Sequence, residues 1–576
     1  MKKSLSVFVL FSLVLLVAAS AVFAEKAELN EVGTYPIVKE PIEMSMFRLS
    51  MPNVIDFATN DFTKYMEDLT GISWKFEVTN NDSAEEAVNL TMLSNQLPDV
   101  FLFATPGIAK YGVAEGMLLP IEDLIEENMP NFSKVLEEMP ELRGQITETD
   151  GHIYGLPAIN QCYHCQYRNK MWVNTAALEE LGMEVPTTTE EFKEVVKAYV
   201  EKNPTGVAIT GSTDGWGQQF ADWLINPFIL DPGSGSTRSD AKLVVNNETQ
   251  KIETIATKDE YREALKYMRE LFDLGAIYDG SFTQNHEQYR TLMNQDGDPV
   301  LFAPYGTISD GYDVSSKPES YAKYRVIAPL VGPEGVQNAT YFKHDGIGQG
   351  RLVITADAEN PEAILRWADF FYTMEGYLSM QYGAEEGKDW ELAKEGEMGL
   401  GGDPALFKVL NPYSSEPQNH DWQDVGLNYA TAKIRMGEVT AQDIDIASAE
   451  GLEKLLFIET RDKMEPYGQG DDAPYSVTPP LKLTADEATE LQVISKEVAD
   501  YVQTNSTAFI RGDQDINDDD AWNAYVKGFE AVQLPRFLEV YQAAFGHNFI
   551  HACIRLTESD IVLYSILEQI YLLKHY

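Results

Sequence analysis

Between Met44 and Phe103 short apolar runs alternate with helical periodicity, and that alternation restricts the fold more than any other feature of the chain. Met44 to Leu49 is apolar enough for a buried strand. Phe57 to Leu69 has a helical pattern that stops at Gly71, and Ser73 to Val78 is a second strand. A helix from Ser83 to Asn95 leads into Leu97-Pro98-Asp99-Val100-Phe101-Leu102-Phe103. A run apolar on both faces suits a strand covered by helices on each side, so the order β-α-β-α-β predicts an α/β fold with parallel strands. Pro299 to Gly306 repeats the pattern as a buried strand emptying into a loop. Thr188 with Glu191 and Thr257 with Glu260 stand at capping-box spacing ahead of amphipathic helices, Gly275 supplies a stop, and Asn360-Pro361 opens another helix. From Tyr377 onward helical patterns and long polar loops replace the alternation.

A chain of 576 residues exceeds what one core supports, so two or more lobes are expected. Lys2 and Lys3, the apolar run Leu5 to Ala19 and the small residues up to Ala24 have the order of a secretory signal peptide, and the run is shorter than the ~20 residues that span a bilayer. The expectation is an exported chain starting near Glu25. No cysteine follows the apolar run to carry a lipid, which favours a periplasmic, unanchored protein over one released from the cell. The net charge is −47, which repels nucleic acid and anionic membrane surfaces. The acidic residues are spread through helix-like stretches and read as a solvated surface. Residues 546–576, with three of the eight histidines, look unlike what precedes them and are read as an atypical tail.

Chemistry-bearing motifs are few. Cys162-Tyr163-His164-Cys165 has the spacing of a zinc or redox pair, but no second cysteine pair completes a metal site, and a local disulfide or two buried thiols is the simpler reading. Asp513, Asp515, Asn517 and Asp519 start like a calcium loop, yet Asp518 stands at the sixth position and Ala524 at the twelfth, so a helix capped by Asp518 to Asp520 accounts for them. Phosphate loops, zinc helices and nucleophile elbows are all missing, and neither a cofactor nor a resident metal is expected. Eight Trp and twenty-nine Tyr remain. An aromatic ring stacks on the C–H face of a sugar, whose hydroxyls need polar partners, and several aromatics here stand in turns beside such groups.

Leu97 to Val100, Gly116-Met117-Leu118-Leu119-Pro120-Ile121-Glu122-Asp123-Leu124, Asp150-Gly151-His152-Ile153-Tyr154-Gly155-Leu156-Pro157, Trp172 to Val185, Tyr382-Gly383 through Trp390 and Trp522 to Phe545 follow one another in a specific order. In that order the chain resembles the extracellular solute-binding proteins of ATP-binding-cassette importers, the large subgroup associated with complex saccharides. The resemblance implies a two-lobed, periplasmic-binding-protein-like α/β fold with a hinge and a helix-rich C-terminal part. Lobe 1 would take 25–157 and, after a return crossing at Lys343 to Val353, the segment 343–376. Lobe 2 would take 158–342 and 377–545. The implied function is capture of an oligosaccharide in the interlobe cleft by hinge closure, without bond chemistry. A permease's transmembrane subunits would be the partner, and a monomer is expected. Loops after strands would contact the ligand through Asn53, Thr105, Asn160, Tyr163, Trp216, Tyr305 and Trp390. The competing readings are a secreted polysaccharide hydrolase or lyase, and a surface adhesin.

Overall fold

A computed structural model describes residues 26–555, except 52, 81–82, 95, 298, 313–316, 344–345, 413–416, 449 and 471. The expected signal peptide and the tail beyond Arg555 lie outside the described residues.

The strands in chain order are β1 (Ile42–Leu49), β2 (Ile72–Thr79), β3 (Val100–Leu102), β4 (Gly155–Asn160), β5 (Met171–Asn174), β6 (Val207–Ile209), β7 (Leu243–Asn246), β8 (Lys251–Thr254), β9 (Val300–Pro304), β10 (Tyr324–Ile327), β11 (Ile347–Ile354), β12 (Trp390–Leu392), β13 (Phe407–Val409), β14 (Tyr429–Ala430) and β15 (Tyr475–Val477). A first sheet runs β14-β4-β11-β3-β1-β2, and a second β10-β5-β9-β6. A small sheet, β15-β7-β8, and a ribbon, β12-β13, complete the β structure of the described residues. In the first sheet β1 is parallel to β2 and β3, and β14 is parallel to β4, while β11 runs antiparallel to both its neighbours.

Each main sheet has its own core. Met46, Val100, Leu102, Leu156, Leu352, Trp367 and Trp422 belong to the first. Val173, Phe192, Ile209, Leu265, Phe302, Val498 and Phe537 belong to the second. The helix Asp259–Asp273 shows how its stripe is used: Tyr261, Ala264, Leu265, Met268 and Leu271 are all buried in the second core, where each large side chain gains roughly 1.5–3 kcal/mol.

Local signals fared unevenly. Thr188 accepts from Glu191 N at the start of the helix Thr189–Lys202, and Asp518 caps the helix Asp519–Gly528. Thr257 is no cap: it ends a 3-10 turn capped by Thr254, and the next helix begins after Lys258 without a side-chain cap. Asn360 turns its side chain away from its helix to accept from Ala27 N, pinning the start of the described chain. Two domain limits also change. Tyr377, Leu378, Trp390, Phe407, Trp422, Val425, Leu427 and Ile434 are in the first core, so the stretch from Tyr377 to the mid-430s packs with lobe 1 and not lobe 2. The helix Leu534–Arg555 runs through Gly546 without a break at the expected tail boundary.

Among the described residues no helix is long and apolar enough to cross a membrane.

Candidate binding cleft

The chain passes between the two cores three times, and all three passages are side by side. It leaves lobe 1 at the end of β4, returns at the start of β11 and leaves again after β14. Asn160 N donates to Gly346 O at 2.7 Å and Gln161 N to Ala430 O at 2.8 Å, so the crossings are tied by backbone hydrogen bonds. Gly346 has φ +103°, and a Cβ there would stand 2.8 Å from Asn160 O. Glycine is required by both conformation and space.

Strand directions then fix which ends face each other. β1 and β3 run antiparallel to β11, hence parallel to β4, so their C-terminal ends lie at the hinge edge of lobe 1. In lobe 2, β5 begins just past the hinge, β9 is antiparallel to it and β6 is parallel to β9, so the C-terminal ends of β6 and β9 return to the hinge edge. The loops carrying Asn53, Thr105, Asn160, Tyr163, Trp216 and Tyr305 therefore emerge at facing edges. Trp390 is excluded from this set, because β12 belongs to a separate ribbon.

On the lobe 2 side three loops are locked together. Cys162 and Cys165 form a disulfide around Tyr163 and His164. Lys170 is fully buried, and its Nζ donates to His164 O and Tyr167 O at 2.7 Å each and to Gly306 O at 3.3 Å. Burial pushes this amine down to about 7, while three carbonyl acceptors, one for each ammonium proton, oppose that push. Gly306 N donates to Trp216 O at 3.1 Å, and the half-buried Trp216 ring lies so close over Gly306 that a Cβ there would stand 2.1 Å from it. Tyr163 packs its ring on Phe457 and donates its hydroxyl to Glu465 at 2.6 Å. Tyr167 stacks on Tyr341, and the Arg168 guanidinium lies 3.5 Å from the centre of the Phe342 ring. His164 is 8% exposed; burial first, then Lys170 and Arg435, hold its imidazole well below the usual range, so it is neutral there.

The lobe 1 side is built on a buried arginine. Arg48, near the end of β1, has no exposed surface, lies 3.4 Å from the Phe57 ring centre and 4.2 Å from that of Trp422, and donates to Val425 O at 2.7 Å. It fastens β1 to the turn carrying Gln423, whose side chain accepts from the Asn53 amide. Phe103, at φ +64°, donates its backbone N–H to Arg351 O, and the Arg351 guanidinium lies over its ring. Thr105 follows on that loop, partly exposed.

Of the residues nominated from sequence, Thr105, Asn160, Tyr163 and Trp216 are at least partly exposed at the facing edges. Asn53 is at the edge but 6% exposed and engaged with Gln423. Two nominations are corrected. Tyr305 has no exposed surface and stacks face to face on Tyr289 at 4.5 Å, so its ring is core. Trp390 is 5% exposed and donates its indole N–H to Gly383 O. Arg48, Arg168, Lys170, Tyr341, Phe342, Arg351 and Phe457 were missed. The Tyr341-Phe342 pair directly before the expected return crossing was the one available signal.

Comparison with known proteins agrees with this architecture. The chain is 25% identical over 494 residues, 83% of its length and 85% of the relative's, to the fructooligosaccharide ABC transporter substrate-binding protein FusA of Streptococcus pneumoniae. The structure of FusA in complex with kestose aligns with a TM-score of 0.65 at 21% identity, over 88% of this chain and 99% of that one. An HMO-binding, ABC-transporter-associated solute-binding protein from Bifidobacterium longum infantis aligns with a TM-score of 0.70 at 18% identity, over 88% and 99%. These structures share the two-lobed fold. The sequence pattern of the bacterial extracellular solute-binding proteins matches residues 52–378, more than half of the 576, and the chain belongs to that family.

Proposed function

We propose that this protein is the substrate-binding component of an ATP-binding-cassette importer and that it captures an oligosaccharide between its lobes. The observation that carries the reading is the lobe 2 edge, where Trp216 and Tyr163 are presented by loops locked through Lys170 and the Cys162–Cys165 bridge. Rigid half-exposed aromatics beside amide and hydroxyl groups suit a ligand with apolar C–H faces and many hydroxyls. FusA, similar over most of the chain, is named for a fructooligosaccharide, which favours sugar over peptide.

Capture proceeds as an equilibrium. Ligand first rests on one lobe, and rotation about the three crossings adds contacts from the other, so closure is favoured by the ligand's differential affinity for the closed form. No bond is made or broken. The closed pair of lobe surfaces is what permease subunits would recognise, with the protein acting as an exported, periplasmic monomer.

A thermal-shift screen of the full chain against neutral mono- and oligosaccharides, followed by X-ray scattering with any hit, tests the reading. The expected result is a saturable rise in melting temperature with an oligosaccharide and a smaller radius of gyration when it is bound. A hit that is cleaved in the well, or that leaves the radius unchanged, would overturn it.

A further inference from the structure

Cys162 and Cys165 are joined by a disulfide, and His164 stands between them in the chain and beside them in space. The two sulfurs and an imidazole nitrogen lie within 4.8 Å of one another, with Cys162 and His164 buried and Cys165 partly so. Among the described residues no other three histidine, cysteine or carboxylate side chains gather their donor atoms so closely. Cys165 Sγ is 3.9 Å from His164 Nε2 and 4.0 Å from Nδ1. Zinc takes thiolate sulfur at about 2.3 Å and imidazole nitrogen at about 2.0 Å in tetrahedral sites, which puts neighbouring ligand atoms roughly 3.5 Å apart. Sulfur and nitrogen therefore stand close to the spacing of two ligands on one ion. The cysteine Cα atoms, 5.3 Å apart, let the sulfurs part by side-chain rotation once their bond is opened.

Charge favours the same use. Two thiolates, a neutral imidazole and a divalent ion sum to zero, so a loaded site adds no unpaired charge to a buried turn. His164 is held neutral, the form that ligates, first by burial and then by Lys170 and Arg435. Cations beside a cysteine also favour thiolate over thiol. The turn does not depend on the bridge alone: Lys170 Nζ holds His164 O and Tyr167 O at 2.7 Å each, which keeps the turn in place when the bridge opens. Glu453 Oε2, on a half-exposed side chain 3.8 Å from His164 Nε2, is placed to share the fourth position with water.

We propose that reduction of the Cys162–Cys165 bridge turns this corner of the cleft into a binding site for a thiophilic divalent ion, zinc above all, held by Cys162, His164 and Cys165. The bridged form has no thiolate to offer and takes no ion. A phosphine opens the bridge: two electrons pass to the S–S bond, phosphorus takes the oxygen of a water molecule, and that water's two protons leave both sulfurs as thiols. A dithiol does the same and ends as its own disulfide. Metal binding then releases the two thiol protons to solvent. The Trp216 ring meets that of His164 edge to face at 6.2 Å, so the site lies against the aromatic surface of the cleft, whatever ligand that surface takes.

The test reduces the full chain with a phosphine, removes the phosphine under exclusion of oxygen, and titrates with cobalt(II). Sulfur-to-cobalt charge transfer reports thiolate ligation, and intense visible bands report tetrahedral geometry. The expected result is one cobalt per chain in the reduced protein, displaced by zinc, and no such spectrum in the bridged one. The third cysteine is Cys553, and Cys553→Ser should keep the signal. Cys162→Ser with Cys165→Ser should abolish it. His164→Gln should weaken binding by at least about tenfold, since loss of even an outer partner of a ligand costs that much. Reduced wild type giving only the weak spectrum of octahedral cobalt would sink the site, and that result needs no variant to fold. A signal that survives loss of both Cys162 and Cys165, that vanishes in Cys553→Ser, or that is as tight in His164→Gln at unchanged circular dichroism would sink it too. No sugar enters the experiment, so failure here leaves the oligosaccharide reading as it stands.

Discussion

At the scale of single residues, the cleft depends on charges taken out of water. Lys170 has no carboxylate partner among the described residues; it holds the His164–Tyr167 turn and the Gly306 loop through backbone carbonyls alone. Replacing it with methionine keeps the volume and leaves three carbonyls without their donor. Each unsatisfied buried group costs about 1–3 kcal/mol, with partial relief as the loops relax. Lys170→Met should lose about 2–4 kcal/mol in urea unfolding, and ligand affinity should fall even under conditions where the variant is fully folded. His420 offers a pH-dependent case. Burial opposes its charged form, but hydrogen bonds to Asp61 and Asp389 outweigh that and raise its pKa above 6.5. A raised histidine contributes stability below its unfolded value and loses it as pH climbs through the folded one. Asp421 beside it is pushed up to about 7, by burial first and then by Asp389 and Asp424 against the pull of His420. That loss has the same sign, between the unfolded value near 4 and about 7. Melting curves from pH 5 to 9 should therefore show wild type ahead of His420→Gln at acid pH, with the gap closing above neutrality; a gap that widens with pH would contradict the assignment.

At the scale of elements, strands and loops set where aromatic groups end up, and this is where the sequence was both legible and misleading. Runs of apolar residues identified β1, β3 and β9 because a strand buried on each side has no polar register to hide it, whereas β4 was read only as the region of the first crossing. The β11 crossing was located from Lys343 to Val353, and the observed strand is Ile347–Ile354. Placement of the stretch after Tyr377 failed because its elements are short and irregular, and only the packing of Trp390, Phe407 and Trp422 on the first core reveals where it belongs. Trp216 and Tyr305 show the same limit at finer grain. Both precede or follow glycine in a turn, yet one ring is at the cleft edge against Gly306 and the other is stacked on Tyr289; the difference lies in partners from other elements of the fold that the local sequence does not show. Gly306 tests the placement of Trp216, since its φ is not in the left-handed region and the three atoms nearest to an added Cβ all belong to the indole. Gly306→Ala should push the indole off its seat and weaken ligand binding about tenfold, equivalent to roughly 1.4 kcal/mol, while leaving far-ultraviolet circular dichroism unchanged. Unaltered affinity would remove Trp216 from the binding surface.

At the scale of the whole molecule, the question is what holds two acidic lobes near each other without ligand. A net charge of −47 works against approach of the lobes, and the three crossings fix only one edge. Lobe 2's helices Ala485–Arg511 and Leu534–Arg555 come against Ala109–Ala114 and Pro140–Ile146 of lobe 1, and the charged contact beside them is Lys482 with Glu148, 2.6 Å apart and 14% and 8% exposed in their side chains, joining the segment before the helix Ala485–Arg511 to the end of the Pro140–Ile146 helix. A pair so shielded contributes little when intact, because desolvation offsets attraction, but removal of one partner leaves the other buried and unpaired at a cost of about 3–5 kcal/mol. That cost falls on whichever arrangement keeps Glu148 covered. Lys482→Met should therefore shift the unliganded population toward a form with the lobes further apart, seen as a larger radius of gyration in scattering, and reduce ligand affinity by the fraction of molecules no longer poised to close. Glu148→Gln combined with Lys482→Met removes the stranded charge and should restore most of the compactness. If the single variant scatters like wild type, the ion pair moves with the hinge and does not resist opening; if the double variant is as expanded as the single, shape and not charge sets the spacing of the lobes.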